Sequence, residues 1–390
     1  MGDDLPVGRR VAYWRARRNM SQQMFADRLG KSKSWVDKIE RGVRRLDKWS
    51  VLQEVADALN VNPDHLLGDA AAAPPDRPAD ERAAEIGTLR AALTRHPGLL
   101  PSAVAQVEPC RYQARLDHAE AVYQHAEYPS LVRLLPDLLD GSHTREMPAD
   151  LRVRVYRLTA RIAVKLAATE LAWLAADRGL AVATAADDPL LEAVAALPFG
   201  QALRAAGRPR SAFETTVVAA HRVTPLTDDP GTPDERSACA ALLVQAALAA
   251  AEHSDPQTAR DLLDDATRLT EPDGPERAAV DAARVTTTAA LGDHRGAVDL
   301  HEALAARSVW RTLSIEHRAA YLLDVAGAYL AAGDAPGASR MLRDVDRIAA
   351  PEVRVRPAGR TMLAHVLAGS AFPDPYLVAV AEAAGVPGAW

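Results

Sequence analysis

In the stretch SQQMFADRLGKSKSWVDKIERG, Ser21 to Gly42, the side chains Gln22, Lys33, Ser34, Trp35, Lys38 and Arg41 are followed closely by Arg44, Arg45 and Lys48. This is a set of hydrogen-bond donors suited to a polyanion with patterned edges. If a helix begins at Lys33, then Lys33, Ser34, Trp35, Asp37 and Lys38 face outward while Val36 and Ile39 turn inward. A lysine at the start of such a helix can donate to guanine O6 and N7, a serine can pair with several bases, and an indole can touch a thymine methyl. Gln22 opens the preceding helix, where its amide and the free backbone N–H groups suit a phosphate. Arg44, Arg45 and Lys48 are placed for the flanking phosphates, and Arg41 belongs to the same DNA-contacting set.

A second set of donors lies in YRLTARIAVKLAATELAW. Arg157, Arg161 and Lys165 recur every four residues, which puts them on one face of a helix, with Leu158, Ile162 and Leu166 beside them and Trp173 near one end. Facing a concave surface, such a stripe could hold the carboxylate or backbone of an effector; on an outer surface it is a solvated helix face. Trp310, His317, Tyr321 and Tyr329 fall at helical spacing and are better read as core. His294, Asp299, His301 and Glu302 match no metal-ligand spacing, and Cys110 and Cys239 form no CxxC pair, so neither a metal site nor a disulfide framework is expected. The phosphate-loop, dinucleotide, zinc-protease and nucleophile-elbow patterns are absent, so neither an enzyme nor a cofactor is expected.

The charge is unevenly spread. Residues 1–48 carry 13 Lys/Arg against 6 Asp/Glu, whereas the whole 390-residue chain has a formal net charge of −6. A basic end on an acidic body points to nucleic acid at that end. The N-terminus lacks an apolar run, and the most apolar segment, Ala241 to Ala251, is too short to span a bilayer, so a cytoplasmic protein is expected.

The elements that must position these groups are helical throughout. Ala dominates the apolar residues, which suits closely packed helices better than sheets. Residues 5–67 read as five short helices. Val11 and Trp14 point inward from the first. Ser21 caps the second, which buries Met24, Phe25, Ala26 and Leu29. Ser32 caps the third, Ser50 the fourth, and Gly30 and Gly42 act as stops. The Ala/Pro run at 69–79 reads as a linker. Residues 80–390 then repeat a theme of small-residue helix end, tight turn and second helix. The turns at Gly207, His253, Gly292 and Gly333 give a period near 40, the mark of stacked helical hairpins.

The ordered caps, turns and core positions of residues 7–68 resemble the XRE family of Cro/phage-repressor-like helix-turn-helix proteins. The carrying residues are Ser21-Gln22, Ala26, Leu29-Gly30, Ser32 and Ser34, Ile39-Glu40-Arg41-Gly42, and LDKWSVLQEVADALNVNPDHLLG. The resemblance implies a five-helix domain that binds a double-stranded DNA operator in a bacterial regulator of transcription. Trp35 departs from the small residue or Thr common in the family, so it either meets the groove or braces the domain against its partner. The body is similar to the tetratricopeptide-like domains joined to such modules, which implies an α-solenoid that dimerises, senses a peptide or small-molecule effector, or both. A homodimer is expected, because one head alone makes a small interface. The rival reading is an interaction scaffold whose head tethers it to DNA. The domains are thus 1–68, 69–79 and 80–390 in an all-α chain, located in the cytoplasm at the nucleoid.

Overall fold

The computed structural model describes residues 7–17, 20–42, 51, 54–55, 58–59, 79–95, 108–143, 147–223, 231–370 and 372–387. The described residues contain helices and turns but no strand. Contacts divide the chain into two units, Met1–Pro75 and Asp76–Trp390.

In the first unit, α1 (Val7–Arg17), α2 (Gln22–Arg28) and α3 (Lys33–Glu40) pack around Val11, Phe25, Ala26, Val36 and Ile39. Val55, Ala58 and Leu59, from helical residues farther along, close the same core. α2 and α3 each start where a serine hydroxyl accepts a backbone N–H that would otherwise have no partner: Ser21 from Met24 at 3.1 Å, Ser32 from Trp35 at 3.2 Å. Gly30, in the left-handed region at φ 62°, lets the chain reverse between α2 and α3. At Gly8 the backbones of α1 and α3 approach so closely that a Cβ would overlap the Ile39 carbonyl oxygen. Met24, expected inside, is 58% exposed, because it sits across α2 from Phe25 and Ala26, which take the core. The expected positions of Trp14, the Ser50 cap and the 69–78 linker lie outside the described residues and side chains; residue 79 already belongs to the next helix.

Among the described residues, the second unit opens with α4 (Ala79–Thr94) and continues as seven hairpins. They are α5–α6 (Pro109–Gln124, Tyr128–Ser142), α7–α8 (Ala149–Lys165, Thr169–Ala185), α9–α10 (Pro189–Ala205, Pro209–Val223) and α11–α12 (Pro233–Glu252, Pro256–Arg268). Then follow α13–α14 (Pro275–Ala290, His294–Ala305), α15–α16 (Ile315–Ala331, Ala335–Arg354) and α17–α18 (Pro357–Ala368, Pro375–Ala383). The first helices begin at residues 109, 149, 189, 233, 275, 315 and 357, so the period of about 40 extends over the whole unit.

Six of the hairpin turns share one mechanism. A single left-handed residue follows the first helix: Ala126, Ala167, Gly207, Ser254, Gly292 or Gly333. The next N–H then donates to the carbonyl five residues back, at 2.9–3.2 Å, which closes the helix end. In three turns that next residue is an aspartate that also caps the second helix: Asp255, Asp293 and Asp334 accept from Thr258, Gly296 and Gly337 at 3.1, 2.9 and 2.8 Å. The fourth turn is centred on Ser254, one residue beyond the expected His253.

The first helices of successive hairpins touch in order, from α5 through α17, and α5 also reaches α15. These helices therefore form an inner layer that curls until the first hairpin meets the sixth. The core is built mainly of Ala and Leu, with Tyr112, Tyr128 and Tyr156 fully buried. Small side chains bring the helix axes close, where dispersion contacts accumulate. Tyr321 and Tyr329 join this core, with Trp310 packed at its edge.

Candidate DNA-binding face and the inner wall of the repeats

The α2-turn-α3 unit presents Lys33, Ser34 and Lys38 to solvent on α3. Arg41, just past the helix, is also exposed and pairs with Asp37 at 3.4 Å. Trp35 is half-buried and packs against the domain core. Gln22 does not point freely away from the domain, since its amide donates to Glu40 at 2.8 Å. The same buried carboxylate receives Arg15 through two contacts, at 2.5 and 3.1 Å, and Arg15 also donates to the Met20 carbonyl at 2.7 Å. Glu40 thus ties α1, the start of α2 and the end of α3 into one rigid piece. Enclosing this carboxylate costs little because its oxygens are hydrogen-bonded. Arg44, Arg45 and Lys48 lie outside the described residues.

The cationic stripe of α7 is neither a solvated face nor an unoccupied clamp. Arg157 pairs with Glu120 of α5 at 3.1 Å. Arg161 reaches Glu316 of α15 at 3.5 Å and lies over the Tyr123 ring, 4.3 Å from its centre. Lys165 is buried between Glu316 and Glu352, 2.6 Å from each. Tyr123 donates to Glu316 at 3.1 Å, Tyr128 donates to Glu352, and Arg356 completes Glu352 at 2.8 Å. The network fastens the second hairpin to the sixth, across 155 to 187 residues of sequence. Burial alone would push the Glu316 carboxyl up, but Lys165 and Arg161 outweigh it and hold the pKa at about 2. Glu352 is lowered for the same reason, with Lys165 and Arg356 overcoming burial. Burial pushes the Tyr123 and Tyr128 hydroxyls far up, so both remain donors. Burial lowers the neighbouring His317 despite the adjacent Glu316 charge.

Trp173 lies on α8, the other helix of that hairpin, and is 43% exposed. His301 is buried and shares a hydrogen bond with the Tyr321 hydroxyl at 2.8 Å, while Glu302 accepts from Tyr329. That cluster is core and core edge. Glu120, Tyr123, Tyr128, Glu316 and Glu352 were the partners that the sequence did not reveal. The available signal was an acid set among apolar helix residues, as in SIEHRAAY and APEVRV.

The geometry of the first unit is that of a helix-turn-helix DNA-binding protein, and the second adds an all-helical repeat body. A family described as "Helix-turn-helix domain" matches residues 6–67. The "Uncharacterized HTH-type transcriptional regulator YazB" of Bacillus subtilis (strain 168) is 39% identical over 70 residues, which are 18% of this chain and 91% of that protein. The chain belongs to the family of helix-turn-helix transcriptional regulators. Among solved structures, Bacillus thuringiensis PlcR in complex with the peptide PapR7 and DNA is 11% identical, covering 88% of this chain and 95% of that one, with a TM-score of 0.33. ComR from S. thermophilus in complex with DNA and its signalling peptide ComS is 14% identical, covering 82% and 99%, with a TM-score of 0.31. A kinesin light chain from Podosopora anserina with TPR-like repeats is 20% identical, covering 52% and 97%, with a TM-score of 0.35. None of these three reaches a TM-score of 0.5, and the repeat architecture rests on this chain's own hairpins.

Proposed function

We propose that this DNA-binding regulator reads its operator with α3, through Lys33, Ser34 and Lys38. Arg41, Arg44, Arg45 and Lys48 engage phosphates, and Gln22 contributes its backbone N–H and any part of its amide not held by Glu40. The observation that carries the reading is the exposed, serine-capped α3, fixed to its neighbours through Glu40. The repeat unit mediates homodimerisation and responds to a peptide or small-molecule effector along Arg157, Arg161 and Lys165, with Trp173 at the margin. Support for an effector site comes from the inner wall, which gathers charged side chains from distant hairpins. Two heads in a dimer would meet half-sites about one helical turn apart, ~34 Å. Such a regulator works in the cytoplasm, at the nucleoid; among the described residues no helix is long and apolar enough to cross a membrane.

The test is a fluorescence anisotropy titration of the full chain on its own upstream DNA, with scrambled DNA of equal length as control. Specific binding predicts a preference of ~10³-fold or more and a steep loss with salt. Equal binding to both DNAs would overturn operator reading. Light scattering under the same conditions reads the dimer directly.

A further inference from the structure

A cleft of about 370 Å³ opens between the start of α7 and the end of α8, lined by Ala149, Arg152, Ala181, Val182, Ala185 and Ala186. It lies at the open end of the second hairpin, opposite its turn. It is also away from the inner wall, since Arg152 precedes Arg157 by five residues, which turns it about 140° round α7 from the cationic stripe. Arg152 shares its helix face with Ala149 and, one turn on, with Tyr156. Tyr156 packs on Gly179 of α8, where an added Cβ would stand 3.2 Å from the Tyr156 Cβ. The two helices run antiparallel, so Arg152 falls level with Val182, and Ala149 with Ala186.

Arg152 is half-buried, and its Nε is enclosed without a hydrogen-bond partner. Among the described residues it makes no hydrogen bond or ion pair, so all five of its N–H donors are unused. Its neighbours on α7 behave otherwise: Arg154 pairs with Asp117 and Glu120, and Arg157 with Glu120. Among the described residues, the other arginine with an enclosed, unpartnered Nε is Arg318, which lies over the Trp310 ring, 5.7 Å from its centre. The surroundings of Arg152 add positive charge. Arg178, one turn before Val182 on α8, donates to the Leu93 and Arg95 carbonyls, which satisfy its N–H groups and leave its charge. Arg95 pairs with Asp140 at 2.5 Å, and His143 meets the Tyr156 hydroxyl at 3.4 Å. Burial lowers the His143 pKa, Arg178 adds to that against Asp140, and Arg152 and Arg95 lower it further. Asp150, Asp187 and Asp188, near the lining along the chain, are exposed, and none pairs with Arg152.

We propose that this cleft binds a small aliphatic monocarboxylate, with the carboxylate on Arg152 and the alkyl chain on the methyl groups of Val182, Ala185 and Ala186. A guanidinium fork matches a carboxylate through two parallel N–H···O bonds. One unpaired cation balances one negative charge, whereas a dianion would bring a second charge into a lining whose other side chains are hydrocarbon. From Ala181 to Ala186 the lining runs five residues of helix, about 7.5 Å at ~1.5 Å rise, which suits a short alkyl chain. The volume falls at the lower end of the ~300–1,000 Å³ typical of small-molecule sites.

The experiment is equilibrium dialysis of the full chain against radiolabelled hexanoate at pH 7 and low salt. Saturable binding of one hexanoate per chain is expected. Hexanol keeps the alkyl chain and acetate keeps the carboxylate; each should compete less well than hexanoate, on the order of tenfold or more. Arg152→Gln removes no hydrogen bond or ion pair within the described residues, so its fold, checked by circular dichroism, should stand while affinity falls by a similar factor. Ala185→Asp, at an exposed position, sets a carboxylate in the lining and should also weaken binding. Absence of saturable binding overturns the site, and so does undiminished affinity in either variant. Equal competition by hexanol leaves a merely apolar cleft, and equal competition by acetate leaves an adventitious ion only; either result overturns the proposal.

Discussion

Replacing Lys165 by Met tests whether the buried network holds the repeat unit closed. The substitution keeps the length and apolar volume of the side chain and removes its charge. Two carboxylates, Glu316 and Glu352, then share a buried space without the cation that lies 2.6 Å from each. Removing one partner of a buried ion pair costs about 3–5 kcal/mol, chiefly because the other partner remains charged and desolvated. The Glu316 pKa gives an independent magnitude. Its fall from 4.5 to about 2 in the folded chain corresponds to roughly 3 kcal/mol at about 1.4 kcal/mol per unit. Because the folded pKa is depressed, this stabilisation is fully present above about 4.5 and is lost as pH falls through about 2. The assay is urea unfolding followed by circular dichroism, with hydrogen exchange on α7, α15 and α16 to localise the change. At pH 7 the K165M chain should lose about 3–5 kcal/mol, with exchange accelerated in those three helices. The difference between variant and unaltered chain should shrink as the acids protonate. Adding Glu316→Gln to K165M should restore part of the loss, since it removes the stranded charge. A loss under about 1 kcal/mol at pH 7 would refute the reasoning, since that is the scale of an exposed pair.

Other perturbations reach the remaining parts of the fold and the DNA-binding face. Gly8→Ala places a Cβ on the Ile39 carbonyl and should separate α1 from α3; DNA binding should be lost while the helical signal of the second unit persists, both read on the full chain. Gly207→Ala should lower stability and Ala167→Gly should raise it, each by about 1 kcal/mol in chemical denaturation. The left-handed penalty of ~1–2 kcal/mol for Ala exceeds the ~0.4–1 kcal/mol unfolded-chain entropy of Gly, and a Cβ at Gly207 meets nothing within 4 Å. Lys33→Ala should cost about 1–3 kcal/mol on the preferred DNA and relax discrimination at one position. Lys38→Ala should instead weaken binding to all sequences and reduce the salt slope by about one, if it serves a phosphate.

Local chemistry made much of this protein legible in its sequence. The serines at 21 and 32 and the glycines at 30 and 42 fix helix ends through bonds within a few residues, so α2 and α3 could be placed without a tertiary structure. The hairpin period was visible wherever glycine or the HSD triplet marks the turn, at 207, 253–255, 292 and 333. At 126 and 167 alanine occupies the left-handed position. Its side chain carries no turn signal, and those two hairpins became clear only when their backbone geometry was seen. Met24 was placed inside because it is apolar, yet the core had room for Phe25 and Ala26 on the opposite face.

The stripe at 157, 161 and 165 was equally plain as a pattern, and its spacing alone put the three charges on one face of α7. What that face meets depends on how far the stack of hairpins curls. Each hairpin adds a small rotation to the one before, and only the accumulated rotation brings α15 and α16 back to α7. A sequence specifies each turn through neighbouring residues. The pairing of Lys165 with acids 151 and 187 residues away is set by packing along the whole stack, and that was decided only in the tertiary structure.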